Sequence, residues 1–143
     1  MAEYGTGHEW VNAIGTALAA NVTIAAIWDV VKHNNAITSP PSGPTVYCEW
    51  ERSMSGAMAD EDTAGCAHVA VLFLVWPHGT EPSDPLAIRD RCSYWGQVML
   101  ETLRSAPGVP APQEFDMQYE AMTTVNTQQC AVLEIRITTQ VYI

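Results

Sequence analysis

Basic residues are scarce in this sequence. Its 143 residues include 6 Lys and Arg against 16 Asp and Glu, which gives a formal net charge of -10. Such a chain repels a phosphate backbone and an anionic membrane surface, so nucleic-acid binding and membrane attachment are disfavoured as functions. No apolar run of about 18 residues or more occurs, so no membrane-spanning helix is predicted. The first residues lack a basic or signal-type apolar segment, and we expect synthesis inside a cell.

Cysteines are also few, and no two of them have the C-x-x-C spacing of a redox or metal motif. Each lies in an apolar stretch, where a free cysteine packs as a small hydrophobic residue. The even count would allow disulfides, but a chain with 48% apolar residues can form a core without them. We therefore predict reduced, buried thiols at all four positions, which are Cys48, Cys66, Cys92 and Cys130.

Motifs for catalysis and metal binding are missing as well. There is no G-x-S-x-G, no Gly-rich loop ending in G-K-[ST] and no H-x-x-x-H. Cys66 and His68 share a strand face, but their side chains would lie about 7 Å apart, too far for direct activation. We interpret His68 as a buried histidine that is hydrogen-bonded to the backbone. No catalytic residue, cofactor or metal site is predicted.

The chain does contain one long apolar strand followed by an amphipathic helix. Residues 66–76 have only His68 as a polar interior residue, which predicts a strand buried on both faces. Asp84 is a good N-cap and Pro85 is tolerated at the first helical position, so a helix is predicted over about 85–104. Its apolar residues recur at helical spacing and predict packing on a sheet: Ile88, Cys92, Trp95, Met99 and Leu103.

The sequence of the N-terminal third of the chain predicts one helix and one short strand. Thr6 and Glu9 have capping-box spacing ahead of an apolar stripe, which favours a helix over about 7–20. Residues 24–31 carry both helical spacing and β-rich composition, and we favour a short strand there.

Three later segments alternate between apolar and polar residues, as half-buried strands do. Residues 45–53 predict one buried face and one wet, acidic face that carries Glu49 and Glu51. In residues 115–121, Asp116 and Glu120 belong to the polar set. Residues 131–143 alternate most cleanly, with Leu133, Ile135 and Ile137 on one face and Glu134, Arg136 and Thr138 on the other.

Together these segments predict a single α+β domain over residues 1–143. We expect a mostly antiparallel sheet of four to five strands, made of two hairpins and the short strand. The N-terminal helix and the central amphipathic helix pack on it. Long loops are expected at about 34–44 and 53–65, and the second contains the acidic run Asp60-Glu61-Asp62. That run is either a solvated tip or an arm that orders against another subunit.

The succession of elements resembles the tail terminator (tail completion) proteins of long-tailed bacteriophages, which include the lambda-type minor tail protein U. The likeness covers nearly the whole chain and rests on pattern, size and acidity. Its elements are an N-terminal helix, a short strand near 23–31, the strand 46–52, the Asp60-Glu61-Asp62 loop, the strand 69–76, a Pro-rich turn, the helix 85–104 and a final hairpin. The loop over residues 40–44 is longer than this pattern leads us to expect.

The resemblance implies a structural virion protein without enzymatic activity. It implies a homo-oligomeric, hexameric ring that caps the tail tube and joins it to the head–tail connector. DNA would pass the lumen without specific binding, because carboxylates lining it repel phosphates. Candidate residues for the lumen or the subunit interface are Asp60, Glu61, Asp62, Glu49, Glu51, Glu134 and Arg136.

Two alternatives stay open at this point. One is another phage neck or head-completion protein of similar build. The other is a small α+β enzyme or ligand-binding domain, whose activity would fall when His68 or Cys66 is changed. A discrete oligomer favours a ring subunit, whereas a saturable small ligand favours the enzyme.

Overall fold

A computed structural model describes residues 7–31, 41–55, 65–107, 109, 112, 114–125 and 127–142. Of residues 54–55, 65–66 and 140–142 it describes the backbone alone. None of the helices in these ranges is long and apolar enough to cross a membrane. The elements are α1 (Gly7–Ala20), α2 (Val22–Ala25), β1 (Asp29–Val31), β2 (Thr45–Ser55), β3 (Gly65–Pro77), α3 (Pro85–Ser105), β4 (Glu114–Val125) and β5 (Gln128–Tyr142).

The strands form one sheet in the order β1-β2-β3-β5-β4. β1 runs parallel to β2, and every other neighbouring pair is antiparallel. β2 with β3 and β4 with β5 are the two predicted hairpins. The α+β class, the mostly antiparallel sheet and the two packed helices are therefore confirmed.

The long helices begin and end close to where the sequence predicts. α1 covers Gly7–Ala20, as the capping-box spacing indicates. At the start of α3, Asp84 Oδ2 accepts a hydrogen bond of 3.1 Å from the Ala87 backbone N–H. This satisfies one of the N–H groups that a helix start leaves without an intrahelical partner.

The main core lies between the helices and one face of the sheet. Alternate residues of β3 face this side, and Leu72 and Leu74 are completely buried there. The helices contribute fully buried residues to the same cluster, among them Trp10, Ile14, Leu18, Met99 and Leu103. Hydrophobic burial on this face is what holds α1 and α3 on the sheet.

The segment 24–31 differs from its prediction as a strand. Val22–Ala25 is one turn of helix, and only Asp29–Val31 is extended. The Asn21 side-chain oxygen accepts hydrogen bonds from the N–H groups of Thr23 and Ile24, at 3.0 and 3.1 Å. This local cap outweighs the β propensity of the segment.

A β-bulge interrupts strict alternation in β2. Trp50 pairs with Ala70 and Arg52 pairs with Val69, so the register shifts across Glu51. Beyond the bulge, Ser53 pairs with His68 on the helix side of the sheet. The hairpin strands also run further than predicted, to Ser55 on β2 and from Gly65 on β3.

Parts of both predicted loops lie outside the described residues. These parts are 34–40 and 56–64, and the second includes Asp60, Glu61 and Asp62. Predictions for those three residues therefore stay predictions.

The thiol prediction is confirmed for the three cysteines whose side chains the structure describes. Cys48, Cys92 and Cys130 are free and buried. Burial disfavours the thiolate, so it raises the pKa of Cys48 to about 12 and that of Cys92 to about 11. Neither thiol is ionised at neutral pH, and neither is an activated nucleophile.

Candidate functional site: the open face of the sheet

The face of the sheet opposite α1 and α3 is the candidate functional site, and we call it the open face. It carries the alternate residues of β3 that point away from the main core, together with their cross-strand neighbours. A second apolar cluster lies here, separate from the main core, and no residue of a described helix belongs to it. The open face is thus a second surface that no described helix covers.

The centre of the open face is apolar. Tyr47, Val75 and Val132 are nearly completely buried by their neighbours on the sheet, with Phe73 packed against them. A cavity of about 290 Å³ lies over this cluster. Its lining combines the apolar floor with carboxylates and polar groups: Glu49, Phe73, Val75, Gln118, Glu120, Thr123, Val125, Val132 and Glu134.

Carboxylates flank this floor because the strand register aligns them in rows. Glu49 lies opposite Val71, which lies opposite Arg136, which in turn lies opposite Asp116. In the next row Glu134 lies between Phe73 and Gln118. Residues that face each other across antiparallel strands share a face. The two rows therefore bring side chains of four strands onto one surface.

Arg136 on β5 forms an ion pair with Glu51 on β2, a strand that is not adjacent to β5 in the sheet. Its Nε and Nη2 donate to Glu51 Oε1 at 3.0 and 2.8 Å, and Nε lies 3.1 Å from Oε2. Glu134 Oε1 lies 3.8 Å from Nη2. The pair bridges over β3 from β5 to β2, and the bulge in β2 presents Glu51 for it. Exposed pairs of this kind contribute about 0–1 kcal/mol to stability, so its main effect is to fix the two side chains.

Glu49 is the carboxylate most affected by the apolar floor. Partial burial removes water from its charged form and so raises the pKa of this carboxyl above its ordinary value. Glu120 and Glu134 line the same cavity. The site therefore attracts cationic groups and repels anions.

The open face as a whole carries a strong excess of negative charge. By cross-strand register, six carboxylates share it with two arginines, Arg52 and Arg136. The carboxylates are Glu49, Glu51, Glu114, Asp116, Glu120 and Glu134. The excess of carboxylates makes this surface repel phosphates, and Arg136, one of its two arginines, is paired with Glu51.

Four of the seven predicted site residues meet on this face. They are Glu49, Glu51, Glu134 and Arg136, and sequence alternation on β2 and β5 is the signal that placed them. Glu114, Asp116 and Glu120 were not among the predicted site residues. The alternation of β4 marks Asp116 and Glu120 as polar, but only the register with β5 shows that they join the other carboxylates.

His68 lies in the main core and not on the open face. It is 1% exposed, its ring stacks on Trp10 with centroids 6.2 Å apart, and its Nδ1 lies 2.6 Å from Ser53 Oγ. The Ser53 hydroxyl is thus a hydrogen-bond partner of this ring. Among the described side chains, no three His, Cys, Asp or Glu residues form a group that could hold a metal ion. The Cys66 side chain lies outside the described part of the chain.

Known proteins resemble this chain in structure and not in sequence. No family model matches the sequence, and no curated protein matches it. Among solved structures, a chain from a structure titled "Virion of native gene transfer agent (GTA) particle" matches with a TM-score of 0.47 and 12% sequence identity. The match covers 96% of this chain and 99% of that chain. At this level of similarity the likeness does not bear on function.

Proposed function

We propose that this chain is a non-enzymatic structural subunit of a phage-like virion, and specifically a tail terminator. In this role copies of the chain form a hexameric ring that caps the tail tube and joins it to the head–tail connector. The ring is assembled in the host cytoplasm and stays in the virion, and DNA passes through its lumen.

The observation that carries the proposal is the acidic face of the sheet, which no helix in the described part of the chain covers. Carboxylates from β2, β4 and β5 lie on it, and the Glu51–Arg136 pair neutralises only part of their charge. Charges act over about 10 Å at 0.1 M ionic strength, so a lumen lined by this face repels DNA along the whole wall. A passage needs this property, because DNA that adheres to the wall does not move through it.

The layering of the chain supports a repeated, head-to-tail arrangement. Helices lie on one side of the sheet and the carboxylates lie on the other, so the two sides have different chemistry. With the open face toward the lumen and the helices away from it, neighbouring copies meet through other, unlike surfaces, and such heterologous contacts close into rings when the rotation permits. Most elements of the pattern that resembles tail terminators occur in the same order in the described fold, with one turn of helix, Val22–Ala25, ahead of the short strand.

The first experiment removes the chain from the particle. Particles are produced without the chain and with the full chain restored, and their tails are measured by electron microscopy. Overlong tails in its absence support the terminator role. Tails of normal length that lack heads contradict it and favour another neck or head-completion role, and normal virions contradict both. The mass of the purified full chain, free and in the particle, tests the hexamer.

The second experiment reverses charge on the open face in the assembled particle. Glu114→Lys with Glu120→Lys places cations where DNA would pass, and we expect tails of normal length but at least about tenfold less DNA delivery. Asp90→Lys with Glu101→Lys, at exposed positions on α3, is the matched control and leaves delivery unchanged. Equal delivery by all three proteins would contradict a lumen lined by the open face.

A further inference from the structure

The outer edge of β4 has no described strand beside it. β4 is the last strand in the sheet order and pairs with β5 only. Its first seven residues, Glu114–Glu120, pair regularly, and the register shifts between Glu120 and Thr123. An edge of this length exposes a row of backbone donors and acceptors that can pair with another extended chain.

A groove runs along this edge on the helix side. It has a volume of about 720 Å³ between α3 and β4. Leu86 is 69% exposed at its rim, and Met117 and Tyr119 of β4 line it. Arg89 is the cation beside it. The groove therefore offers apolar contacts to side chains that enter between the helix and the edge strand.

The two sides of the β4 edge differ in charge. On the helix side lies the apolar groove, whereas the opposite side carries Glu114, Asp116 and Glu120. Successive residues of a strand point to opposite sides of the sheet. A strand added to this edge would therefore place every second side chain in the groove and the others beside the carboxylates.

The charges beside the β4 edge restrict which extended segment can pair with it. Two β4 edges from two copies would bring like carboxylates together, which destabilises a strand pair. The chain itself has only 6 Lys and Arg. Arg136 lies in a strand that is paired on both sides, and the three arginines from 89 to 104 lie in α3. Arg52 shares its stretch of β2 with Glu49 and Glu51, whose carboxylates would meet those of β4. Lys32 precedes His33-Asn34-Asn35, which does not alternate with apolar residues. The occupant must be another protein.

We infer that the β4 edge binds an extended segment of a different protein as a sixth strand of the sheet. In that segment Lys or Arg alternates with apolar residues. The apolar side chains enter the groove between α3 and β4, and the basic side chains pair with Glu114, Asp116 and Glu120. This inference goes beyond the proposed function, because the edge and the groove belong to the single chain whether or not copies of it form a ring.

The test uses the full chain and a blocked peptide of about seven residues that alternates Lys and Val, which matches the length of Glu114–Glu120. At low salt we expect a Kd of about 100 µM or tighter by calorimetry. Two further peptides carry N-methyl groups on alternate amides, in opposite phases. Only alternate amides of an added strand face β4 and donate hydrogen bonds to it. The peptide that is methylated on these amides should not bind, and the peptide that is methylated on the other amides should bind as before. A peptide with the same residues in non-alternating order binds at least about fivefold more weakly.

Protein variants locate the contact. Leu86→Asn weakens binding about threefold or more, and Asp116→Asn with Glu120→Gln weakens it about fivefold or more. The matched controls are Val22→Asn, which replaces an apolar residue that is 82% exposed on α2, and Asp90→Asn with Glu101→Gln on α3. Both should stay within about twofold of the parent. These substituted positions are exposed, so thermal melting is expected to show that all the variants fold.

Three outcomes would overturn the inference. The first is that the alternating peptide does not bind at millimolar concentration. The second is that the alternating and non-alternating peptides bind equally well. The third is that the two N-methylated peptides bind equally well. Hydrogen exchange adds an independent measurement, because the peptide should protect amides of residues 114–120 and leave those of α1 unchanged. Protection elsewhere would also contradict it.

Discussion

Glu49 shows how a single residue connects the charge of the open face to folding stability. Its pKa is raised because partial burial over the apolar floor disfavours the carboxylate. A group whose pKa is higher in the folded state binds more protons there than in the unfolded chain. Stability therefore falls as pH rises from the unfolded pKa, about 4.3, through the raised folded value.

Glu49→Gln should accordingly make the protein more stable at neutral pH. The amide resembles the protonated carboxyl in shape but carries no charge to desolvate. We expect a higher midpoint of urea unfolding than in the parent at pH 7, and a difference that shrinks toward zero near pH 3. Glu101→Gln on the exposed side of α3 is the control and should produce no such pH-dependent gain. A lower midpoint for Glu49→Gln at pH 7 would contradict this explanation.

At the scale of elements, local signals predicted the fold where local chemistry decides it. Asp84 and Pro85 mark the start of α3 because a side-chain cap and a missing N–H act within one helical turn. The alternation of β5 is clean because one of its faces lies on the main core, where Ile135 and Ile137 are completely buried. For such elements the sequence pattern alone is sufficient.

Other features depend on partners that lie far away in the sequence. The β-rich composition of residues 24–31 predicts a strand, and it is found at Asp29–Val31, but composition does not reveal that its partner is residues 45–47 or that the pairing is parallel. The bulge at Glu51 shifts Ser53 to the side of His68, and strict alternation predicts the opposite side. The grouping of Asp116 with Glu49 likewise requires the register of three strand pairs. About half of the candidate site was therefore accessible to sequence reasoning.

The turn between β4 and β5 contains a residue with a strained backbone conformation, and a substitution can relieve this strain. Thr127 has a φ of 72°, in the left-handed region that β-branched residues avoid. Thr127→Gly removes the clash of Cβ with the backbone, a gain that exceeds the entropy cost of glycine. We expect the free energy of unfolding to rise by about 0.5–1 kcal/mol, measured by urea denaturation. Thr124→Gly, within β4, is the control and should lower it by about the same amount. A lower free energy of unfolding for Thr127→Gly would contradict the explanation that Thr127 is strained.

At the scale of the whole molecule, four of the ten net negative charges lie on one surface, the open face. The open face has six carboxylates and two arginines by register. Mutual repulsion destabilises the compact state, and dissolved salt screens it. Salt also weakens the Glu51–Arg136 pair, but an exposed pair contributes only about 0–1 kcal/mol. The repulsion should therefore dominate the response to salt.

We expect the thermal midpoint of the chain to rise by about 2 °C or more when NaCl increases from about 20 to about 300 mM at pH 7. Measurement at one fixed, low protein concentration keeps any association between copies constant. Glu114→Gln with Glu120→Gln should raise the midpoint at low salt and reduce the response to salt, because two of the carboxylates that repel each other are gone. Asp90→Asn with Glu101→Gln removes the same charge from exposed positions on α3, where the density of carboxylates is lower. An equal effect of both double variants would mean that net charge alone, and not its concentration on the open face, sets the stability.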